Sequence, residues 1–237
     1  MCRSFLVVSR TDFLYPLSLG DLEVCRNLTR IAASICEACR AVTAQKLTVT
    51  IGPGILDLLL KAAAHPSTDV SGIALGALTE EVSSETGLVH KLLPILQGRA
   101  IAPHCFDSKQ VPSLRMENQS EFGVFDSFDH FRTTSLADCL DACFKAMPEM
   151  YMTSCVAAIE EFCQPDASPQ VSFHLEAALF CIGIVSEAAV HHDMTEYLME
   201  CTGALARRGP SLDTNPLTLA QACRFIAKVR FWRMHTI

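Results

Sequence analysis

The sequence predicts an all-α protein in which antiparallel pairs of helices stack into a superhelical α-solenoid. Three observations lead to this fold class. Apolar side chains recur at alternating steps of three and four residues, residues that start or stop helices stand between these stretches, and alternate helices begin at nearly regular intervals. No comparable stretch alternates with a period of two, so we expect essentially no sheet.

The helices follow one another as a series of apolar stripes. The first helix begins near Leu22, and later stripes begin at Leu136, Met152, Leu175 and Met194. Each stripe predicts a helix with one buried face. The predicted buried stripes of the first and last helices are Val24, Leu28, Ile31, Ile35, Cys39 and Val42, and Leu219, Cys223, Ile226 and Val229.

Residues that cap or break helices separate these stripes. Pro148 separates two helices with almost no loop, because the residue before a proline is pushed away from helical geometry. Asp193, with Glu196 three residues later, predicts an N-terminal capping box. Two further helix starts combine an N-cap with proline in the first turn, namely Ser168-Pro169 and Asn215-Pro216.

The spacing of the helices indicates the type of solenoid. Alternate helices begin near Leu22, Thr68, Ser127, Pro169 and Pro216. The gaps are about 46, 59, 42 and 47 residues, and three of them match a HEAT or armadillo unit of about 40–47 residues. A polar insertion from Asp107 to Asp126 explains the longest gap. We therefore predict HEAT-like repeats at 1–106, an insertion at 107–126 and further repeats at 127–237. A compact all-α bundle is the competing architecture.

Composition excludes several classes of protein. Half of the residues are hydrophobic and the net charge is -7, which argues against a general nucleic-acid binder and suits a basic protein partner. The 12 cysteines fall mostly within apolar helical patterns, so we interpret them as reduced core residues of a cytosolic or nuclear protein. No apolar run is long enough to predict a membrane span, and the N-terminal residues make a poor signal peptide.

Two pairs of cysteines have spacings that bear on metal binding. Cys36 and Cys39 have the spacing of a zinc-ligand pair, but no second pair follows at a matching distance, so core packing is favoured. Cys139 and Cys143 lie one helical turn apart on another stripe, and the same interpretation applies. No phosphate-binding loop, dinucleotide-binding turn or nucleophile elbow is present in the sequence. We predict no catalytic, cofactor-binding or metal-binding residue, no cofactor and no enzymatic activity.

Of four other clusters, two have both a functional and a plain interpretation. His191-His192-Asp193 would form a metal or acid–base site, but a solvated turn with Asp193 as a helix cap is favoured. Glu80-Glu81 and Arg207-Arg208 are interpreted as solvated helix ends. The last cluster consists of the aromatic residues Phe225, Phe231 and Trp232. If exposed they would form a peptide-binding patch, but aromatic residues at helical spacing are more typical of a core.

Three segments, in order, resemble the importin-β superfamily of nuclear transport receptors, particularly the transportin-SR branch. The first is Ala64-His65-Pro66 followed by Asp69-Val70-Ser71. The second, after the insertion, is Phe128-Asp129-His130-Phe131-Arg132. The third is Leu175-Glu176-Ala177-Ala178-Leu179-Phe180, running into Ile184-Val185-Ser186-Glu187. The resemblance covers about residues 22–235, with His174 near the position where the family pattern leads us to expect tryptophan.

The resemblance implies a central HEAT-repeat fragment of a receptor that carries protein cargo into the nucleus. The implied partners are basic or Arg/Ser-rich cargo, the GTPase Ran through N-terminal repeats that this chain lacks, and nuclear pore proteins. Direct nucleic-acid binding is not implied, and the implied location is nucleus and cytoplasm. Two alternatives stay open at this point, namely a HEAT-repeat interaction scaffold without a transport role and an all-α enzyme that uses His191 and His192.

Overall fold

A computed structural model describes residues 21–44, 53–101, 127–163, 171–208 and 216–235. These residues form nine helices and no strand, which confirms the all-α prediction for the described part of the chain. Helix α5 covers 127–146 and consists of an α-helical turn at 127–131, a π-helical segment at Arg132–Leu136 and an α-helix at Ala137–Ala146. The other helices are α1 Leu22–Ala44, α2 Pro53–Ala63, α3 Thr68–Val82, α4 Gly87–Ala100, α6 Pro148–Phe162, α7 Val171–His191, α8 Thr195–Arg208 and α9 Pro216–His235.

The odd-numbered helices contact one another in chain order. Helix α1 packs on α3, α3 on α5, α5 on α7 and α7 on α9. Among the even-numbered helices, α2 contacts α4 and α6 contacts α8, while α4 also reaches α5 and α7. Helices from before and after the predicted insertion therefore share one hydrophobic core, although 107–126 itself lies outside the described residues.

Several helix boundaries agree with the predictions from sequence. Helices α1, α3 and α9 begin at Leu22, Thr68 and Pro216. Helix α6 begins at Pro148, with only Met147 between it and α5, as the proline predicts. The predicted starts at Ser168-Pro169 and the N-cap Asn215 lie outside the described residues.

The apolar stripes of the central helices are buried as predicted. On α5 the predicted core residues Cys139, Leu140, Cys143 and Phe144 are fully buried. On α6 and α8 the predicted stripes are buried at Met152, Cys155, Val156 and Ile159, and at Leu198, Cys201 and Leu205. Each of these helices is covered on its apolar face by neighbours in the helical core.

The stripes predicted for the first and last helices differ from the observed buried faces by about one residue of rotation, and of their ten residues only Val229 is buried. On α1 the buried residues are Cys25, Thr29, Ala32 and Cys36, and on α9 they are Thr218, Ala222, Phe225 and Val229. The predicted core residues Ile31 and Ile226 are instead 52% and 38% exposed. The buried face of α1 therefore carries mainly small side chains, while the larger side chain of Ile31 lies on its exposed flank.

Helix α7 is the most apolar helix in the described residues. Its segment Phe173–His191 has a mean hydropathy of 1.6, and its length and composition would allow it to cross a membrane. The prediction from runs of consecutive apolar residues does not identify this segment. However, 67% of that segment is buried against other helices of the fold. This apolar surface is therefore already used in the core, and one such helix is weak evidence for a span.

Candidate functional site

A buried ion pair joins α5 to α7. Arg132 begins the π-helical segment of α5, and Glu176 lies near the start of α7. Nη2 of Arg132 donates to both carboxylate oxygens of Glu176, at 2.9 Å and 3.1 Å, and Nη1 donates to Oε1 at 3.1 Å. The two residues are only 9% and 6% exposed. Because both nitrogens take part, the contact fixes the orientation of the guanidinium as well as its distance.

Aromatic rings complete the surroundings of this pair. The guanidinium carbon of Arg132 lies 4.1 Å from the ring centroid of Phe180 and 5.5 Å from that of Phe128, which are cation–π distances. Burial raises the pKa of Glu176, and the charges of Arg132 and Arg224 oppose that effect. The ion pair is therefore desolvated and depends on its own hydrogen bonds.

The π-helical segment sets the position of Arg132. Threonine hydroxyls in this region bond to carbonyl oxygens one turn earlier, as Thr134 does to His130 at 2.6 Å. Helix α3 also comes close to this segment at Gly72, where an added Cβ would lie 3.4 Å from Oγ of Ser135. Local hydroxyl bonding and a close helix contact thus accompany the irregular geometry, which is a feature often found at functional sites.

Next to the ion pair, Phe180 also lines a cleft between α7 and α9. The cleft has a volume of about 160 Å³. Its apolar lining consists of Phe180, Ile184 and Phe225, together with the backbone of Gly183. Its polar lining consists of Gln221, Arg224 and Lys228, which follow one another at helical spacing along α9.

The cleft carries an excess of positive charge. Arg224 and Lys228 are both exposed, and no carboxylate of the described residues lies within ion-pair distance of either. Nζ of Lys228 donates to the carbonyl oxygen of Gly183 at 2.9 Å, which anchors the ammonium group without neutralising it. Glu176, whose pKa responds to Arg224, is already paired with Arg132. The arrangement is suited to hold a ligand by charge, hydrogen bonds and apolar contact.

The cysteine pairs considered from sequence lie within the helical packing. Ten cysteines fall in the described residues, all are free thiols, and eight of them are buried. Burial raises the pKa of Cys36 to about 11 and that of Cys181 to about 12. Among the described residues, no group of three or more histidine, cysteine, aspartate or glutamate side chains is placed to hold a metal ion. Cys223, predicted as core, is exposed.

The histidine cluster forms a turn, but the predicted cap is wrong. His191 and His192 are exposed at the end of α7, and the ring of His192 meets the ring of Phe144 edge-on, with centroids 5.6 Å apart. Asp193 has a φ of 57° and closes α7, because the N–H of Met194 donates to the carbonyl of Ala189 at 2.9 Å. Helix α8 begins only at Thr195, so Asp193 is a helix-terminating residue and not the N-cap of α8.

Glu80-Glu81 and Arg207-Arg208, each a pair of neighbouring residues of like charge, are predicted to be solvated helix ends. Part of each pair instead contacts another helix. Glu80 is exposed, but Glu81 is 5% exposed and lies 3.2 Å from Nη1 of Arg40 on α1. Arg207 lies 3.5 Å from Glu160, and Arg208 donates to the carbonyl oxygen of Phe162. These residues therefore join neighbouring helices, and the prediction of simple solvation is wrong for Glu81 and Arg208.

The aromatic cluster near the C-terminal end divides in two. Phe225 is 1% exposed and belongs to the core, as its helical spacing predicts. Phe231 is 50% exposed, so the prediction of core is wrong for this residue. The side chain of Trp232 lies outside the described residues.

The interactions that sequence reasoning missed all join residues far apart in the chain. The resemblance pointed to the segments of Arg132 and Glu176 separately, 44 residues apart, but it did not pair them. The sequence does contain a signal for Arg224 and Lys228. Helix α9 has four Lys or Arg residues and no Asp or Glu, which indicates a local basic surface in an otherwise acidic chain. Comparison of the chain with protein-family models, with curated proteins and with solved structures found no match.

Proposed function

We propose that the chain is an α-solenoid of HEAT-type helix pairs and serves as a protein-binding module. The sequence in which the helices contact one another supports this arrangement. Helices α1, α3, α5, α7 and α9 form one continuous series, and α6 and α8 pack beside it. Such a series is expected when each helix pair buries its apolar face against the next. A compact bundle would instead be expected to bring early and late helices together.

We further propose that this module belongs to a nuclear transport receptor of the importin-β type, as the resemblance implies. The observation that carries the proposal is the contact between two of its three motifs. Arg132 of the second motif is bonded to Glu176 of the third and stacks on Phe180 of the same motif. Two motifs whose residues interact directly are expected to be present in the same sequence. The contact therefore supports treating the second and third motifs as one structural unit.

The proposed ligand is protein cargo, with Arg/Ser-rich segments as the first class to test. The net charge of -7 favours basic partners over acidic ones for the surface as a whole. In full-length relatives, as the resemblance implies, cargo lies against the concave face and is released when Ran-GTP binds. The HEAT-repeat scaffold without a transport role is an outcome of the following test.

The test is a pull-down with the complete product of the reading frame that contains this chain. We expect it to retain an immobilised Arg/Ser-repeat peptide, to lose that peptide when Ran-GTP is added, and to keep it with Ran-GDP. A peptide with glutamine in place of every arginine is the matched control. Failure to bind both Ran-GTP and the Arg/Ser peptide would reject the transport role and favour the scaffold.

A further inference from the structure

We propose that the cleft between α7 and α9 binds an acidic peptide segment of a protein partner, with one apolar side chain of that peptide entering the cleft. This inference does not rest on the transport role. It concerns a ligand opposite in charge to the Arg/Ser-rich cargo proposed above, and therefore a second binding site.

Apolar side chains provide the recess for the peptide's anchor. Phe225 is almost completely buried, and Phe180 and Ile184 are half-buried at the surface of α7. Gly183 contributes only backbone to the lining, and a Cβ there would meet Nε2 of Gln221 in ordinary van der Waals contact at 3.7 Å. A volume of about 160 Å³ is sufficient for a single aliphatic side chain.

Charge complementarity determines what surrounds that anchor. Arg224 and Lys228 stand one helical turn apart at the cleft, and neither is neutralised by a carboxylate of the described residues. Charge-assisted hydrogen bonds from these groups to carboxylates are stronger than hydrogen bonds between neutral groups. A basic peptide would be repelled at the same place, because Glu176 is already bonded to Arg132.

The shape of the site favours a peptide over a lipid surface. Two of the exposed apolar residues of α9, Leu219 and Ile226, lie on the flank opposite Arg224 and Lys228, since successive residues are separated by about 100° around a helix. Phe231 shares the flank of the two cations, so among the described side chains a single large exposed apolar residue accompanies them there. A bilayer would need its apolar and basic contacts to lie along one accessible face. A recess of about 160 Å³ beside two cations accommodates one side chain and its acidic neighbours.

The test is fluorescence anisotropy with a fluorescein-labelled peptide in which one leucine stands between two glutamates on each side. We expect the full chain to bind this probe at low ionic strength, and the R224Q/K228Q variant to bind it at least about tenfold more weakly. Arg230 lies on the same helix but on the opposite flank, so R230Q is the matched control and keeps wild-type affinity. Probes with serine for leucine, or glutamine for glutamate, separate the apolar and charged contributions.

Several outcomes would overturn the proposal. Equal weakening by R230Q would mean non-specific charge attraction, and equal binding of the serine probe would mean that the recess is not used. Binding to vesicles of phosphatidylcholine and phosphatidylserine that depends on Arg224 and Lys228, without peptide binding, would assign the cleft to a membrane surface. Circular dichroism and thermal unfolding are used to check that each variant is folded. If the double variant does not fold, R224Q alone replaces it, because this variant keeps the bond of Lys228 to Gly183.

Discussion

Arg132 and Glu176 show how much depends on single residues in this protein. Burial removes both groups from water, and the hydrogen bonds between them compensate for that loss. Such a pair contributes little net stability when intact, but it is costly to break because one charge is then left buried alone. Nε of Arg132 has no hydrogen-bond partner among the described residues, so the bonds of Nη1 and Nη2 to Glu176 hold the guanidinium.

The first prediction is that Glu176→Gln lowers the free energy of unfolding by about 3–5 kcal/mol. The substitution keeps the shape of the side chain but leaves the charge of Arg132 without a counter-ion. Urea unfolding followed by circular dichroism measures the change. Asp141→Asn is the control, because it breaks the exposed pair with Lys145 and should leave the midpoint nearly unchanged. A loss below about 1 kcal/mol for Glu176→Gln would show that the pair is not desolvated.

The second prediction concerns Glu81 and pH. Burial raises the pKa of Glu81, Arg40 opposes this effect, and Glu85 and Glu80 add to it. A carboxyl whose pKa is higher in the folded state binds more protons there than in the unfolded state. Its contribution to stability is therefore complete below the unfolded pKa and is lost as the pH rises through the folded pKa.

We therefore expect Glu81→Gln to gain stability relative to wild type as the pH is raised from about 4 to about 7. Urea midpoints of both proteins across this range measure the difference. Glu80→Gln removes the same charge from an exposed neighbour and should change the slope less. A constant difference between wild type and Glu81→Gln would contradict the raised pKa.

Individual helices differ in how well the sequence predicts their buried face. Stripes on α5, α6 and α8 are buried as predicted, because these helices have neighbours on the faces that carry their large apolar residues. Helices α1 and α9 stand at the two ends of the series and pack chiefly on two helices each. Their buried face is chosen by those neighbours, and the remaining apolar residues lie exposed on the flank.

The third prediction is a comparison of two isoleucines. Ile31→Ala on α1 should cost less than about 1 kcal/mol, because the side chain is 52% exposed. Ile182→Ala on α7 should cost about 2–5 kcal/mol, because it leaves a cavity in a fully buried position. Chemical denaturation of both variants measures the costs. Similar costs would mean that α1 buries the stripe expected from its sequence.

Among the described residues, the helices differ in how many neighbours they contact. Helix α7 contacts α4, α5, α6, α8 and α9, whereas α1 packs chiefly on α2 and α3. In the proposed solenoid each unit is stabilised mainly by its immediate neighbours, so units at the ends of the described series are expected to open at a lower free energy than those in the middle.

The fourth prediction is therefore a gradient of amide hydrogen exchange. We expect the slowest exchange in α5 and α7, and faster exchange in α1 and α9, under native conditions. Mass spectrometry of peptides across the chain measures this, with a fully unfolded sample as the reference. Equal protection of all helices would indicate one cooperative unit and would favour the compact bundle over the solenoid.

The sequence alone determined that the described chain is helical and where several helices begin, because periodicity and proline act locally. It also located the segments of Arg132 and Glu176, but not their pairing. Only the tertiary structure decided that contact, the exposed flanks of α1 and α9 and the cleft beside Phe180. The reason is physical: a helix's own residues set its apolar and polar positions, whereas burial depends on which neighbour covers them.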